Sequence, residues 1–144
     1  MDDLFADLLQ SSPTAHLATS DQYAKPHVVP IVFVWEAPYL YSPLDAKPKR
    51  DDDWHSLRRV RNLETNGRAS VVVDRYAADW THLAWVLLDG LAVILESGEE
   101  RDRAAAALEA KYPQYARLPL AGRPIVKITV ERTVCWSAAD GREL

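Results

Sequence analysis

Apolar residues recur with two different periods along this chain. Leu4, Phe5, Leu8 and Leu9 share one face of a helix expected over Asp2–Gln10. Asp2 and Asp3 suit its positive end, and Ser11-Ser12-Pro13 stops it. Ala15–Thr19 and His27–Trp35 read as strands joined by the polar turn Ser20–Lys25. The second is rich in Val, Ile and Phe and is bounded by Pro26 and Pro38. Pro30, in its middle, has no ladder donor, so this strand must be an edge, bulged or locally unpaired there. Tyr39–Ser42 follows the tight Glu36-Ala37-Pro38 turn as a third strand.

After a polar, proline-containing loop from Pro43 to Asp53, the helical spacing returns over Ser56–Glu64, and Asn66-Gly67 ends it. Ala69–Asp74 reads as a buried strand, and Leu83–Leu95 as a long one bent at Asp89-Gly90. Ser97-Gly98-Glu99-Glu100 has the spacing of a capping box and is expected to open a helix over Arg101–Lys111, which Pro113 breaks. Ile125–Thr133 alternates as a last strand. Six strands, three short helices and hairpin-length links predict an α+β fold, a small antiparallel β-barrel with short flanking helices.

The chain has 144 residues, 48% of them hydrophobic. That length suits one domain over 1–144 with a core that needs no covalent staple. A single cysteine, Cys135, excludes an internal disulfide and a cysteine-based zinc site, and its place beside Trp136 suits a packed thiol. Apolar stretches such as Ala92–Leu95 are too short to span a bilayer, and the acidic start is unlike a secretory signal. A cytoplasmic protein with no membrane contact is expected.

Net charge is −4, which argues against a nucleic-acid partner. Its distribution is uneven. From Lys47 to Arg68 there are seven basic and four acidic residues, a balance of +3; the remainder, with ten basic and seventeen acidic, carries −7. Such a patch suits a compact anion such as a phosphate, or else a solvated face with its own ion pairs, since Asp51, Asp52 and Asp53 lie inside it. Catalytic signatures are missing. There is no Gly-x-Ser-x-Gly elbow, no glycine-rich phosphate loop, and no metal-ligand spacing among His16, His27, His55 and His82. Five tryptophans are many for this length. Most would fill the core, but Trp80 lies in the connection Tyr76-Ala77-Ala78-Asp79-Trp80, where packing, a partner chain and a planar ligand are all open.

The ordered segments Ala15–Thr19, Lys25–Trp35 and Tyr39–Ser42, then Leu57–Asp74, then Pro124–Trp136, together resemble the pyridoxamine 5′-phosphate oxidase-like split β-barrel superfamily. The segment Tyr41–Lys49 is similar to that of the subgroup using the deazaflavin coenzyme F420. The resemblance implies a six-stranded split barrel, a homodimer with two flavin-type sites at its interface, and an oxidoreductase acting on a small conjugated molecule. It implies that His27, Val28, Val29, Pro30 and Ile31 line the ring system. Tyr41, Ser42, Pro43, Lys47 and Lys49, with Arg58 or Arg59, would hold the ribityl-phosphate end. Trp80 and Trp85 are candidates to close the partner's site. The favoured cofactor is coenzyme F420, whose anionic tail would use further cations such as Lys25, Arg50 and Arg75; the alternatives are FMN, or a flavin- or haem-binding carrier without turnover. Only eleven residues follow Thr133, with Arg142 the one basic residue among them, so vitamin B6 oxidation is not expected. No catalytic side chain is assigned.

Overall fold

The computed structural model describes residues 1–44 and 53–139 and the backbone of 142–143. Helix α1 spans Asp3–Ser11, β1 Ala15–Ser20, β2 Pro26–Ile31, β3 Val34–Glu36 and β4 Tyr39–Pro43. Helix α2 spans Arg58–Thr65, β5 Arg68–Arg75, β6 Ala84–Leu95, α3 Glu99–Lys111, β7 Ile125–Ser137 and β8 Arg142–Glu143. No described helix is long and apolar enough to cross a membrane.

All the strand pairs are antiparallel, in the order β2-β1-β5-β6-β7-β4-β3, with the two-residue β8 on β7. The sheet therefore has seven strands along this order, not the six that the hydrophobic pattern predicts. The seventh arises because His27–Trp35 is not one strand. It breaks at Val32-Phe33 into β2, on one edge of the sheet, and β3, on the opposite edge. Three residue steps from Ile31 to Val34 reach about 10 Å at most, so the sheet must curl until its edges meet. Continuous apolar character fits this path, because both halves and the crossover bury side chains; Ile31, Phe33 and Val34 are all buried. Pro30 lies on an edge strand, where its missing donor leaves no central ladder broken.

Inside the curl, alternate residues of β5 and β6 (Val71, Val73, Val86, Leu88) pack with Phe5, Leu9, Leu17, Phe33 and Val60. Helix α3 covers the outside of β3 and β4 through Ala104, Ala105 and Leu108 against Val34 and Tyr41. The expected bend at Asp89-Gly90 is a β-bulge, where the register with β7 shifts. A Cβ on Gly90 would collide with the Thr129 carbonyl, so only glycine lets the two backbones approach there. The expected capping box does not form. Helix α3 starts at Glu99 with Gly98 as its cap and no side-chain cap bond. The Glu100 carboxylate instead accepts from the Tyr41 hydroxyl (2.7 Å) and pairs with Lys127 (2.6 Å).

Candidate functional site

The turn between β1 and β2 and the exposed side of α2 form a groove of about 360 Å³. The turn is built by Asp21, whose carboxylate accepts from the backbone N–H of Tyr23 (2.8 Å) and of Lys25 (3.0 Å). Those two bonds hold the carboxyl below its ordinary range. Arg58 and Arg61, three residues apart on α2, lie on the groove's helix side, and Lys25 on its turn side. With Asp21 the groove sums to +2: three cations, one carboxylate. None of the three cations has an ion-pair partner among the described residues. The helix is anchored from within by Val60 and Leu63 and by Asn62, whose buried side-chain amide donates to Thr19 Oγ1 (3.0 Å).

Strand β2 turns its side chains to two faces. Ile31 is in the core and Val29 packs against it, while Val28 and Pro30 are exposed on the outer face. The five residues expected around one ring are thus divided between two sides of an edge strand. His27 opposes Thr19 in the ladder, and its Nδ1 is buried without a hydrogen-bond partner among the described residues. In the α2 pair, Arg58 lines the groove and the half-buried Arg59 does not. Tyr41, Ser42 and Pro43 are buried on β4 beside β7, and the Tyr41 hydroxyl is engaged by Glu100. Burial and that carboxylate push the Tyr41 pKa upward. Lys47, Lys49 and Arg50 lie outside the described residues. Trp85 stacks on Trp136 across β6 and β7, with ring centroids 6.4 Å apart. Trp80 stands 65% exposed in the short turn Trp80–His82. Three strand steps, about 14 Å, separate β2 from the Trp85 strand in one chain.

These features sit on a curled antiparallel sheet that can now be compared with known proteins. A family model described as pyridoxamine 5′-phosphate oxidase matches residues 1–137. The chain belongs to the pyridoxamine 5′-phosphate oxidase family. Solved structures with this fold include HutZ, the heme storage protein from Vibrio cholerae, at 20% identity and TM-score 0.72, with 92% of this chain and 90% of that one covered. An FAD-binding protein from Mesorhizobium loti has 20% identity and TM-score 0.68, covering 94% of each chain. An F420 reductase has 18% identity and TM-score 0.68, covering 92% of this chain and 98% of that one. At such identities the likeness is one of fold. No curated protein matches the chain.

Within this pyridoxamine 5′-phosphate oxidase-family chain, Arg61 is the groove residue that the sequence left out of the site. Its signal was the i, i+3 spacing from Arg58, which places both on one helix face. Lys25, expected for an anionic tail, does line the groove, whereas Arg75 donates through Nε to the His82 carbonyl (2.7 Å). Among the described residues no cluster of three or more His, Cys, Asp or Glu could hold a metal.

Proposed function

We propose that this family member holds a flavin-type cofactor, coenzyme F420 in preference to FMN, and uses it in an oxidoreductase reaction on a small conjugated molecule. The observation that carries the reading is the groove of Lys25, Arg58 and Arg61, which have no ion-pair partner among the described residues. Of the residues expected at the phosphate, Arg58 lines this groove and Arg59 does not, while Lys47 and Lys49 lie outside the described residues. A phosphate on Arg58 alone would leave Lys25 and Arg61 unmatched, whereas a longer anionic tail would engage all three. The partnerless Nδ1 of His27 supports the same reading, since a buried polar atom needs a bond that a ring carbonyl or ring N–H can supply.

A bound cofactor of this type supplies the hydride chemistry at its ring. Each part of the chain has its own task. Lys25, Arg58 and Arg61 would neutralise the tail and fix its direction along α2. His27 would hydrogen-bond the ring from the inner side of β2, while Val28 and Pro30 offer an apolar surface on its outer side. Trp85, three strands away across the sheet, and the exposed Trp80 would serve the site of a second copy in a homodimer. No proton donor is assigned.

The test is titration of the purified protein with F420, FMN and haem, following quenching of tryptophan fluorescence, with light scattering for mass. The expected result is tight F420 binding, weaker FMN binding and twice the chain mass. Haem binding with neither flavin would replace the enzyme by a carrier. Where F420 binds, rapid mixing of the reduced complex with quinones and enones should give faster oxidation than for free cofactor. No faster acceptor would again leave a carrier.

A further inference from the structure

On the outer face of the sheet, beyond the groove, lies a second and larger basin of about 610 Å³, within the range of small-molecule sites. Its floor is a row of cross-strand neighbours, Ala18, Ser70, Asp89 and Arg132, one on each of four strands. Ser70 Oγ donates to Asp89 Oδ1 (2.6 Å), and Arg132 Nη1 lies 3.6 Å from Asp89 Oδ2. The Asp89 charge is therefore compensated within the floor. Two further charges line the basin and are not compensated: Arg68, at the start of β5, and Glu131, on β7. Neither has an ion-pair or side-chain hydrogen-bond partner among the described residues, and they do not pair with each other.

The place of Glu131 is specific. Asp89 opposes Arg132 and Gly90 opposes Val130, so Glu131 is the extra residue of the bulge, with no partner across the ladder. A bulge of this kind re-aims a side chain, and bulges are frequent beside functional sites. This one depends on Gly90, because any larger residue would meet the Thr129 carbonyl. The fold thus sets one carboxylate out of register into a basin that also holds one unpaired guanidinium.

We propose that this basin binds a zwitterion, a molecule of amino-acid or dipeptide size, with its carboxylate on Arg68 and its ammonium on Glu131. The guanidinium fork matches a carboxylate in bidentate fashion, and an ammonium donates to Glu131 as a charged hydrogen bond. A ligand with both charges satisfies both groups at once, whereas a simple anion or cation would leave one of them unmatched. The size of the basin allows a side chain to lie over Ala18 and Ser70.

Calorimetric titration of the full chain, without cofactor, with the standard amino acids and a set of dipeptides tests the idea. At least one should bind with a Kd below about 1 mM. Its N-acetyl and its amide derivatives should each bind about ten-fold more weakly. Arg68→Ala should weaken the carboxylate-bearing ligand about ten-fold while leaving the amide unaffected, and Glu131→Gln should do the converse with the N-acetyl derivative. Both residues are exposed, so these variants should keep their fold, checked by circular dichroism. No heat with any zwitterion at 10-fold that concentration would overturn the proposal, as would binding unchanged in the Arg68→Ala, Glu131→Gln double variant. Because no cofactor is present, either outcome leaves the reading of the groove beside α2 untouched.

Discussion

Helices α2 and α3 are both flanked by cations, but the cations around them do opposite things. Around α3, Arg101, Lys111, Arg123 and Lys127 are consumed by the fold. Arg101 is buried and donates through Nη1 to the carbonyls of Leu120 (3.0 Å) and Arg123 (2.9 Å). Arg123 donates through Nε to the Leu44 carbonyl (3.0 Å), and Lys127 pairs with Glu100. Lys111 donates to the Phe33 carbonyl (2.9 Å) and sits 3.9 Å from the Phe33 ring centroid. Around α2, by contrast, Lys25, Arg58 and Arg61 make no ion pair with a described residue and share one groove. A cation closed into its own chain's carbonyls and carboxylates is not available to a ligand. A cation left open serves a ligand.

Substitutions can break this contrast from either side. The largest effect is expected at Arg101. Arg101→Ala takes the side-chain donor from the Arg123 carbonyl and leaves the Leu120 carbonyl only the Arg123 N–H, and urea unfolding should show a loss of about 3 kcal/mol. On the other helix, the Arg58→Ala, Arg61→Ala double variant should lose about 100-fold in F420 affinity, with a smaller loss for FMN. Its unfolding free energy should stay within about 0.5 kcal/mol of the parent. A large stability loss there, or none at Arg101, would erase the distinction between the two sides.

Titration sharpens it further. Burial lowers the Lys111 pKa from 10.5 to about 8. The unfolded chain thus binds the proton more tightly, and folding is penalised below pH 8. Stability should rise by about 1–2 kcal/mol between pH 8 and 10.5, and Lys111→Met should flatten that rise. The Glu100 carboxyl is shifted the other way, below its ordinary 4.5, first by Lys127 and then by the Tyr41 hydroxyl. Its contribution is complete above 4.5 and fades as pH falls through the lower folded value. Glu100→Gln should therefore be about 1 kcal/mol less stable than the parent at pH 7. That difference should vanish in acid, where the parent carboxyl is itself protonated.

Local patterning was a good guide wherever one face of an element is apolar. Helix α1, helix α2, β5 and β6 fall within one or two residues of their expected bounds, and the bulge lies at the expected Asp89-Gly90. It failed where long-range partners decide. Val134–Ser137 extends β7 because β6 supplies partners as far as Ala84, which alternation over Ile125–Thr133 does not reveal. Ser97 does not cap α3 because the helix starts one residue later, after Gly98, and the Glu100 carboxylate is held by Tyr41 and Lys127. Of the candidate site, the basic character of α2 was readable, but its direction was not. Helical spacing groups Arg58 with Arg61, yet only the packed turn brings Lys25 to the same groove.

By itself the sequence determined the antiparallel α+β class, the family and the weak place at Pro30, because these follow from side-chain period, ordered segments and a missing backbone donor. Tertiary structure alone decided that one apolar run becomes two strands on opposite edges of the sheet. It also decided that Val28 and Pro30 face away from Val29 and Ile31, and that Glu131 stands out of register and lines one basin with Arg68. The reason is that a period of two states that side chains alternate, but not which partner strand lies on either side. Closure of the curl settles that, and with it which charges are neutralised and which stay open.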